Sequence, residues 1–191
     1  MPQEKSKQPL PKHAKRVFEG IIFDTYQWKQ KLYDGSFATF EKLKRADTVV
    51  VFPVDKTGRI IISTQEQPGI KPFIGVPAGR VEKGESILSA AKRELLEESG
   101  YEAEKVIHWY SYQPYSKMIW NIHFFIAKGC KKISKQTLDP GEKIKLKIVS
   151  FNEFFKLVCN GKLPDKHLQI KFLEAKLDEK KMEKIKKLFL Q

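Results

Sequence analysis

The chain has 191 residues, 41% of them hydrophobic, which suits a single folded domain with a substantial core. No apolar run reaches the roughly 18 residues expected of a membrane-spanning helix. Two widely separated cysteines and a formal net charge of +13 exclude a disulfide-rich scaffold and an acidic, solvating chain.

The first 15 residues form a polar, basic tail without the apolar stretch of a secretory signal. Cys130 and Cys159 show no CxxC or paired spacing, so we expect a cytoplasmic protein with both thiols free. The positive charge admits a nucleic-acid partner. No arginine-rich run or RNA-recognition signature accompanies it, so we favour lysine-rich ends over nucleic-acid binding.

Strands are predicted for most of the region before residue 80. Asp34-Gly35 is typical of a hairpin turn between two strands. A Pro- and Gly-rich segment at 67–72 is predicted to be a loop. The predicted strands are 17–26, 28–33, 37–43, 48–53, 59–64 and 73–76.

The second half of the chain mixes helices and strands. A helix is predicted at 86–98, with Gly100 as its C-cap. Ser150 is predicted to cap a second helix, and a polar loop is expected at 136–143. The remaining predictions are strands at 105–112, 119–127 and 144–149, and helices at 151–159 and 165–190. This order predicts an α/β fold in which helices sandwich a mixed sheet, with an N-terminal hairpin extension and C-terminal helices.

Three glutamates, Glu94, Glu97 and Glu98, share one face of the first helix. Like charges at this spacing repel, and the last turn of a helix disfavours anions. A divalent cation such as Mg²⁺ or Mn²⁺ would offset both costs. A solvated acidic patch balanced by Lys92 and Arg93 is the alternative. The predicted apolar stripe of this helix is Ile87, Leu88, Ala91 and Leu95.

Residues 79–101 read GRVEKGESILSAAKRELLEESGY and resemble the Nudix box, G-x5-E-x7-R-E-U-x-E-E-x-G-U, where U is a bulky apolar residue. Every fixed position is filled, with Tyr101 as a mild departure at the last one. The resemblance implies an α/β/α sandwich and hydrolysis of nucleoside diphosphates linked to another group. It also implies a domain spanning 16–191, with N-terminal strands at 17–45 and C-terminal helices at 151–191.

The same resemblance implies a role for each residue of the box. The metal ligands would be Glu94, Glu97, Glu98 and the Ala78 carbonyl, holding Mg²⁺ or possibly Mn²⁺. Arg93 would orient a ligating glutamate, and Glu85 would pair with that arginine. Gly79 and Gly100 would have structural roles in the box. The implied chemistry is attack by an activated water on the diphosphate, with a carboxylate taking the proton.

Features outside the box resemble the ADP-ribose and nucleoside-diphosphate-sugar pyrophosphatases. VPAG at 76–79 is similar to their LPAG stretch. Those enzymes also carry a proline after the box, typically two residues later than Pro114, so the match at Pro114 requires a small deletion. LDPGE at 138–142 resembles their acidic loop, which implies that Glu142 is the catalytic base, with Glu97 as the alternative. The N-terminal strands fit the exchange between subunits that occurs in this branch, so a homodimer is expected.

One departure concerns substrate binding. Where the branch has Q-[YF]-R, this chain has Gln67-Pro68-Gly69 and lacks the guanidinium. Arg45 or Lys44 could replace that charge, and Trp28 or Tyr26 could stack on the base. The residues predicted to contact substrate are Trp28, Arg45, Gln67, Lys117 and Trp120.

Two rival functions stay open at this point. The first is a hydrolase of capped RNA, dinucleoside polyphosphates or oxidised nucleotides, mildly favoured by the basic charge. The second is a non-catalytic nucleotide-binding regulator, although such modules usually lose box glutamates and this chain keeps them all.

Overall fold

The computed structural model describes residues 9–191. Lys5 and Lys7 of the predicted basic tail therefore lie outside the described residues. The strands are β1 (Lys15–Glu19), β2 (Asp24–Lys31), β3 (Phe37–Lys44), β4 (Thr48–Asp55), β5 (Ile60–Gln67), β6 (Ile70–Gly75), β7 (Ala78–Arg80), β8 (Tyr101–Glu102), β9 (Lys105–Tyr112), β10 (Met118–Ile119), β11 (Ile122–Lys132) and β12 (Lys143–Val149). The helices are α1 (Ile87–Ser99), α2 (Phe151–Cys159), α3 (Lys166–Leu177) and α4 (Glu179–Leu190).

The strands form two sheets. A four-stranded sheet has the order β1-β2-β3-β10, and an eight-stranded sheet has the order β12-β5-β4-β11-β8. In the larger sheet β6 pairs with β5, β7 with β4, and β9 with β11. The central pair, β4 and β11, is parallel, while most other pairs are antiparallel, so the predicted mixed sheet is confirmed.

Alternation along the strands divides the core into two layers. Ile60, Ile62 and Phe124 face the layer shared with the C-terminal helices. Their neighbours Ile61 and Phe125 point the other way, into the layer shared with α1. Because side chains alternate along a strand, these layers lie on opposite faces of the sheet. The predicted helix–sheet–helix sandwich is therefore confirmed. No helix within residues 9–191 has the length and apolar character needed to cross a membrane.

The predicted boundaries are wrong at both ends of the chain. The predicted strand at 17–26 is two strands, because the chain turns at Gly20, whose N–H donates to the Phe23 carbonyl at 3.1 Å. A Cβ at Gly20 would collide with that carbonyl oxygen and with the Phe18 ring. The predicted helix at 165–190 is also two elements. Asp178 has an extended backbone and caps α4, its carboxylate accepting from the Lys181 N–H.

The predicted strand at 119–127 is likewise divided. β10 pairs with β3 of the small sheet, whereas β11 pairs with β4 of the large one. Asn121 sits at this crossing, where its N–H donates to the Asp47 carboxylate at 2.8 Å. The loop predicted at 67–72 is shorter than expected, because β6 begins at Ile70. The short strand β7, opposite the start of β4, was not predicted.

Candidate active site

The first turn of α1 is held by local hydrogen bonds. The Ser86 side chain accepts from the Ser89 N–H, which makes Ser86 the N-cap. Gly100 ends the helix in the left-handed region at φ 72°, as predicted. The buried face includes Ala91 and Leu95, but Leu88 is 42% exposed, so its place in the predicted apolar stripe is wrong. The helix is rotated so that two glutamates, Glu94 and Glu98, occupy the buried face instead.

Arg93 connects the loop before the helix to two helix glutamates. Its Nε and Nη2 atoms each donate to Glu85 at 3.0 Å, forming a bidentate pair. Nη1 donates to Glu94 at 2.7 Å and to Glu97 at 3.0 Å. The hydrogen bonds from Arg93 hold the pKa of the Glu85 carboxyl below its usual value. One guanidinium thus fixes three carboxylates relative to each other.

Gly79 and Glu94 lie in direct contact. A Cβ atom at Gly79 would overlap the Glu94 carboxylate, so a larger residue there would displace this carboxylate from its position against β7. Glu94 is 8% exposed, and burial raises the pKa of its carboxyl although Arg93 opposes the rise. This contact brings Glu94 to the strand that contains Ala78, the residue predicted to offer a carbonyl ligand.

Glu98 is the most buried carboxylate of the box, with 6% exposure. The Ala78 N–H donates to it, and Gln65 Nε2 lies 3.5 Å from its Oε2 atom. Burial, followed by the negative charges of Glu142 and Glu94, raises the pKa of Glu98 to about 9. Glu98 is thus a buried carboxylate among like charges, an arrangement that is costly without a cation.

The acidic loop reaches this cluster from the other side. The Thr137 N–H donates to the Glu97 carbonyl at 2.8 Å, and Gln136 Nε2 donates to the Glu98 carbonyl at 2.6 Å. These bonds satisfy carbonyls that the end of a helix leaves without partners. They also bring Glu142, which is half-buried, close enough to act on the titration of Glu98 and Glu94.

The donor set suits a hard divalent cation. Glu98 lies close enough to three other carboxylates for their negative charge to raise its pKa, namely Glu94, Glu97 and Glu142, and carboxylate oxygens are ligands that such a cation prefers. Within residues 9–191, no three acidic, histidine or cysteine side chains are already gathered in a metal-binding group. The glutamates held by Arg93 would therefore have to turn in order to ligate a metal together.

Three of the predicted substrate-binding residues lie where the two sheets meet. The Arg45 guanidinium stacks on the Trp120 ring at 4.5 Å and lies 5.6 Å from the Phe23 ring. Its Nε atom is buried without a hydrogen-bond partner among the described residues. Lys117 Nζ lies 5.4 Å from the Phe40 ring. This junction therefore combines cations with half-buried aromatic rings, a composition suited to a nucleotide.

The other two predicted contacts are placed differently. Trp28 is 9% exposed, its ring packs against Phe40 at 6.0 Å, and its indole N–H donates to Gln30. Gln67 ends β5 beyond a shift in register, and the glutamine that reaches the box is Gln65. Sequence reasoning missed Gln65, although its spacing of two residues from Gln67 along a strand was a usable signal.

A buried polar network beside the box was also missed. The Asp47 carboxylate lies 3.2 Å from His123 Nε2, and His123 Nδ1 lies 2.6 Å from Ser111 Oγ. Ser111 Oγ lies 2.7 Å from His108 Nε2, and the Asp47 carbonyl accepts from the Val81 N–H at 2.8 Å. These residues come from four separate segments, so their spacing in the sequence carried no signal.

Comparisons with known proteins identify a family, two relatives and a solved structure to which this chain is similar. The NUDIX domain model matches residues 44–172. An ADP-ribose pyrophosphatase of Bacillus subtilis (strain 168) is 30% identical over 155 residues, covering 78% of this chain and 83% of the relative. A methanol dehydrogenase activator of Bacillus methanolicus is 27% identical over 171 residues, covering 87% and 91% respectively. A solved structure of an ADP compounds hydrolase shares the fold, with a TM-score of 0.69 at 16% identity, over 92% of this chain and 97% of that one.

A three-layer sandwich that presents a complete set of box residues on one loop and helix defines a Nudix hydrolase, and the chain belongs to the Nudix family. Within that family it is a pyrophosphohydrolase similar to the ADP-ribose pyrophosphatases. Members of the family generally use divalent metal ions.

Proposed function

We propose that the protein is a Mg²⁺-dependent hydrolase of ADP-ribose or a related nucleoside diphosphate sugar such as GDP-mannose. Water attacks one phosphorus, the P–O–P bond breaks, and the products are a nucleoside monophosphate and a sugar phosphate. The observation that carries this proposal is the proximity of the buried Glu98 to Glu94, Glu97 and the acidic-loop residue Glu142, whose charges all act on it. The similarity to an ADP-ribose pyrophosphatase supports the choice of substrate.

We assign the following roles to the chain's own residues. Glu94, Glu97, Glu98 and the Ala78 carbonyl would hold the metal, which would be Mg²⁺ or possibly Mn²⁺. The chemistry that such an ion would supply is neutralisation of charge on the diphosphate and a lowered pKa of water. Arg93 positions Glu94 and Glu97 through its hydrogen bonds at 2.7 and 3.0 Å. Glu142 accepts the proton of the attacking water, with Glu97 as the alternative base.

Substrate contacts are proposed at the junction of the two sheets. Arg45 replaces the arginine that the Gln67-Pro68-Gly69 stretch lacks, and its unpartnered Nε atom supports this assignment. Lys117 and Trp120 contact the rest of the substrate. Gln67, the last residue of β5, is proposed as a further contact. For Trp28, the enclosed ring favours a packing role over direct stacking on a base.

We propose that the protein works as a homodimer in the cytoplasm. Apolar side chains at the outer end of the small sheet are exposed in the single chain, including Ile21 at 97% and Ile22 at 58%. Such a patch on a small domain is typical of a protein interface. The cytoplasmic location is supported by Cys130 and Cys159, which are free and lie in different elements.

The proposal is tested by a substrate panel assayed with Mg²⁺ and with EDTA, reading the release of nucleoside monophosphate. We expect turnover of ADP-ribose or a nucleoside diphosphate sugar only with the metal. Glu98→Gln should lower kcat by at least ~10²-fold, the scale of a lost electrostatic contact in the transition state. Glu102→Gln, just beyond the box on the short strand β8, is the matched control and should keep wild-type turnover.

The same panel separates the rival functions. Faster hydrolysis of capped RNA or dinucleoside polyphosphates than of any sugar nucleotide would favour the first rival. Tight nucleotide binding without turnover would favour a regulator, a possibility that the relative named as a methanol dehydrogenase activator keeps in view. The complete set of box glutamates argues for catalysis, because a binding module does not need to keep buried, mutually repelling carboxylates.

The role of the proposed base has its own test. Glu142→Gln keeps the shape of the side chain but cannot accept a proton, so kcat should fall by about 10²- to 10⁴-fold while KM changes little. Steady-state kinetics over the pH range would measure both constants. An unchanged kcat would move the base role to Glu97.

A further inference from the structure

The polar network beside the box has no role in the chemistry proposed above, and it meets the box at Asp47. His123, in the middle of the network, is 1% exposed, and the Asp47 side chain is 17% exposed. Ser111 Oγ bridges two imidazole rings, at 2.6 Å from His123 and 2.7 Å from His108. A polar network in which the buried groups have partners is rigid and specifies one arrangement of the segments that it joins.

The Asp47 carboxylate is held by donors from the start of β11. The Asn121 backbone N–H donates to it at 2.8 Å, and Asn121 Nδ2 lies 3.3 Å from both of its oxygens. His123 Nε2 lies 3.2 Å from the same carboxylate. Burial acts to raise the pKa of Asp47, but the hydrogen bonds from His123 and Asn121 outweigh burial and lower it. An ionised carboxylate only accepts, so His123 Nε2 carries the donated proton and the Asp47 side chain is fixed in one orientation.

The backbone of Asp47 holds the box loop, defined here as residues 81–86. The Asp47 carbonyl accepts from the Val81 N–H at 2.8 Å, directly after β7 ends at Arg80. The next residue, Thr48, pairs with Arg80, and its N–H donates to the Asn121 carbonyl at 2.9 Å. Asn121 thus binds both the side chain of Asp47 and the residue that follows it. The orientation of the Asp47 side chain therefore sets the direction in which its carbonyl meets the box loop.

The anchored loop is joined to the contacts of Arg93. The Arg80 carbonyl accepts from Arg93 Nη2 at 2.9 Å, and Nη1 of the same guanidinium donates to two glutamates of the box helix. Arg80 directly precedes Val81, so a shift of the loop at Val81 would move an acceptor of Arg93. Asp47 is therefore linked to two of the proposed metal ligands through two backbone carbonyls and one guanidinium.

The position of Asp47 in the chain makes this link specific to the box. The body of β4 pairs with β11 from Thr48 to Pro53, and this ladder holds the strand in the sheet. Asp47 precedes the ladder, in the connection between the small sheet and the large one. Without its carboxylate, the Asn121 N–H and His123 Nε2 would lose their acceptor, and the connection could shift against the box loop.

We propose that Asp47 is a positioning residue for hydrolysis at the box. Its carboxylate, oriented by Asn121 and His123, fixes the carbonyl that anchors the box loop, and the loop in turn fixes the acceptor of Arg93. The inference rests on the proposed hydrolysis but not on the identity of the substrate, since no substrate contact is assigned to Asp47. Residues that support a metal site from outside its ligands change activity by ~10- to 100-fold when they are replaced.

The test compares Asp47→Ala with the wild type in the full-length protein. The substitution keeps the backbone carbonyl but removes the group that orients it. We expect kcat for the best substrate of the panel to fall by ~10-fold or more while KM stays within about threefold. In EDTA, NMR should show the Val81 amide proton exchanging with solvent at least ~10-fold faster, because local opening of its hydrogen bond becomes easier.

Ser150→Ala is the matched control. The Ser150 side chain caps α2 by accepting from the Glu153 N–H at 3.1 Å, so this substitution lowers stability at a helix outside the box. We expect the control to keep wild-type kcat and wild-type exchange at Val81. Thermal unfolding of both variants would allow these values to be compared at similar stability.

Wild-type kcat in Asp47→Ala would overturn the inference, as would a lower kcat with unchanged exchange at Val81. Equal losses in Ser150→Ala would also overturn it, because reduced stability alone would then account for them. If circular dichroism shows that Asp47→Ala does not fold, Asp47→Ser takes its place with the same expectations, since its hydroxyl can still accept from the Asn121 N–H.

Failure of the proposed function gives a different result. If the wild type hydrolyses no substrate of the panel, faster exchange at Val81 in the Asp47 variant supports the anchoring role and overturns hydrolysis at the box. Unchanged exchange in that case overturns both proposals. A wild type that turns over normally, with a variant that matches it, overturns the role of Asp47 alone.

Discussion

At the scale of single residues, the glutamates of the box lie in two different electrostatic environments that the sequence does not distinguish. Glu85 is paired with both arms of the Arg93 guanidinium, whereas Glu98 is buried with Glu142 and Glu94 as its charged neighbours. Charge pairing stabilises the first, and burial with repulsion destabilises the second when no metal is bound. A functional site therefore shows itself here as a local loss of stability.

This difference predicts how the metal-free protein responds to pH. The pKa of Glu98 in the folded state is raised to about 9 from an ordinary value of 4.5, so the folded state holds a proton that the unfolded state releases. The contribution to stability is therefore complete below the ordinary pKa and is lost as pH rises towards 9. The free energy of unfolding should fall with a slope of up to about 1.4 kcal/mol per pH unit from this group.

Denaturant unfolding in EDTA at several pH values would measure that slope. Glu98→Gln removes the titrating group and should flatten the curve between pH 5 and pH 9, within the range given by the two pKa values. Mg²⁺ should stabilise the wild type and not the variant, because ligands that bind only the folded state stabilise it. Parallel pH curves for the two proteins would exclude Glu98 as the buried group responsible.

At the scale of elements, the positions of the box glutamates depend on three separate segments that meet at the end of α1. β7 brings Ala78 and Gly79 against Glu98 and Glu94, and the segment at 133–142 bonds to the carbonyls of the last helical turn. The helix and its Gly100 cap were predictable, because capping and periodicity are local. β7 was not, because a strand of three residues exists only through its pairing with β4.

Gln136 provides a test of this assembly. Its Nε2 atom donates to the Glu98 carbonyl at 2.6 Å and lies 3.4 Å from the Ile144 carbonyl, so it joins α1 to β12 across the acidic loop. Gln136→Ala should release the loop that bears Glu142 and lower kcat by about tenfold, since small misplacements of catalytic groups are costly. Stability should fall by about 0.5–1.5 kcal/mol for the lost hydrogen bonds.

Steady-state kinetics and thermal unfolding would be compared for this variant and Ser134→Ala. Ser134 is an exposed residue of the same segment whose hydroxyl donates to the neighbouring Lys135 carbonyl at 3.0 Å. The control should match the wild type in both measurements. A Gln136→Ala protein that loses stability but keeps its kcat would show that the acidic loop does not depend on this link.

At the scale of the whole molecule, the two sheets differ in what they pack against. The large sheet packs α1 on one face and the C-terminal helices on the other, while the small sheet stands at its edge with apolar side chains exposed. β10 pairs with β3 in the small sheet, and the chain then continues into β11 of the large sheet. This connection lies next to Arg45 and Trp120. A second subunit that covers the small sheet would bury this apolar surface close to the proposed substrate contacts.

The dimer is tested by changing the exposed turn of the small sheet. The double substitution Ile21→Glu and Ile22→Glu places charges in the proposed interface, so light scattering after size exclusion should report a dimer for the wild type and a monomer for the variant. Leu177→Glu, at 88% exposure at the end of α3, is the matched control and should leave the oligomeric state unchanged. A dimer that survives the double substitution would place the interface elsewhere.

The sequence by itself determined most of the strands and helices, and the box helix with its C-cap at Gly100, because these follow from local spacing and turn chemistry within one segment. Through the resemblance to the Nudix box it also supplied the glutamates and the arginine that are proposed to form the site. Tertiary structure alone decided that Glu94 and Glu98 face inward while Leu88 faces out. It also decided that Gln65 rather than Gln67 meets the box, and that Asp47, Ser111 and His123 form one polar network. The physical reason is that burial and contact between distant segments depend on how the elements pack, and residue spacing along the chain does not contain that information.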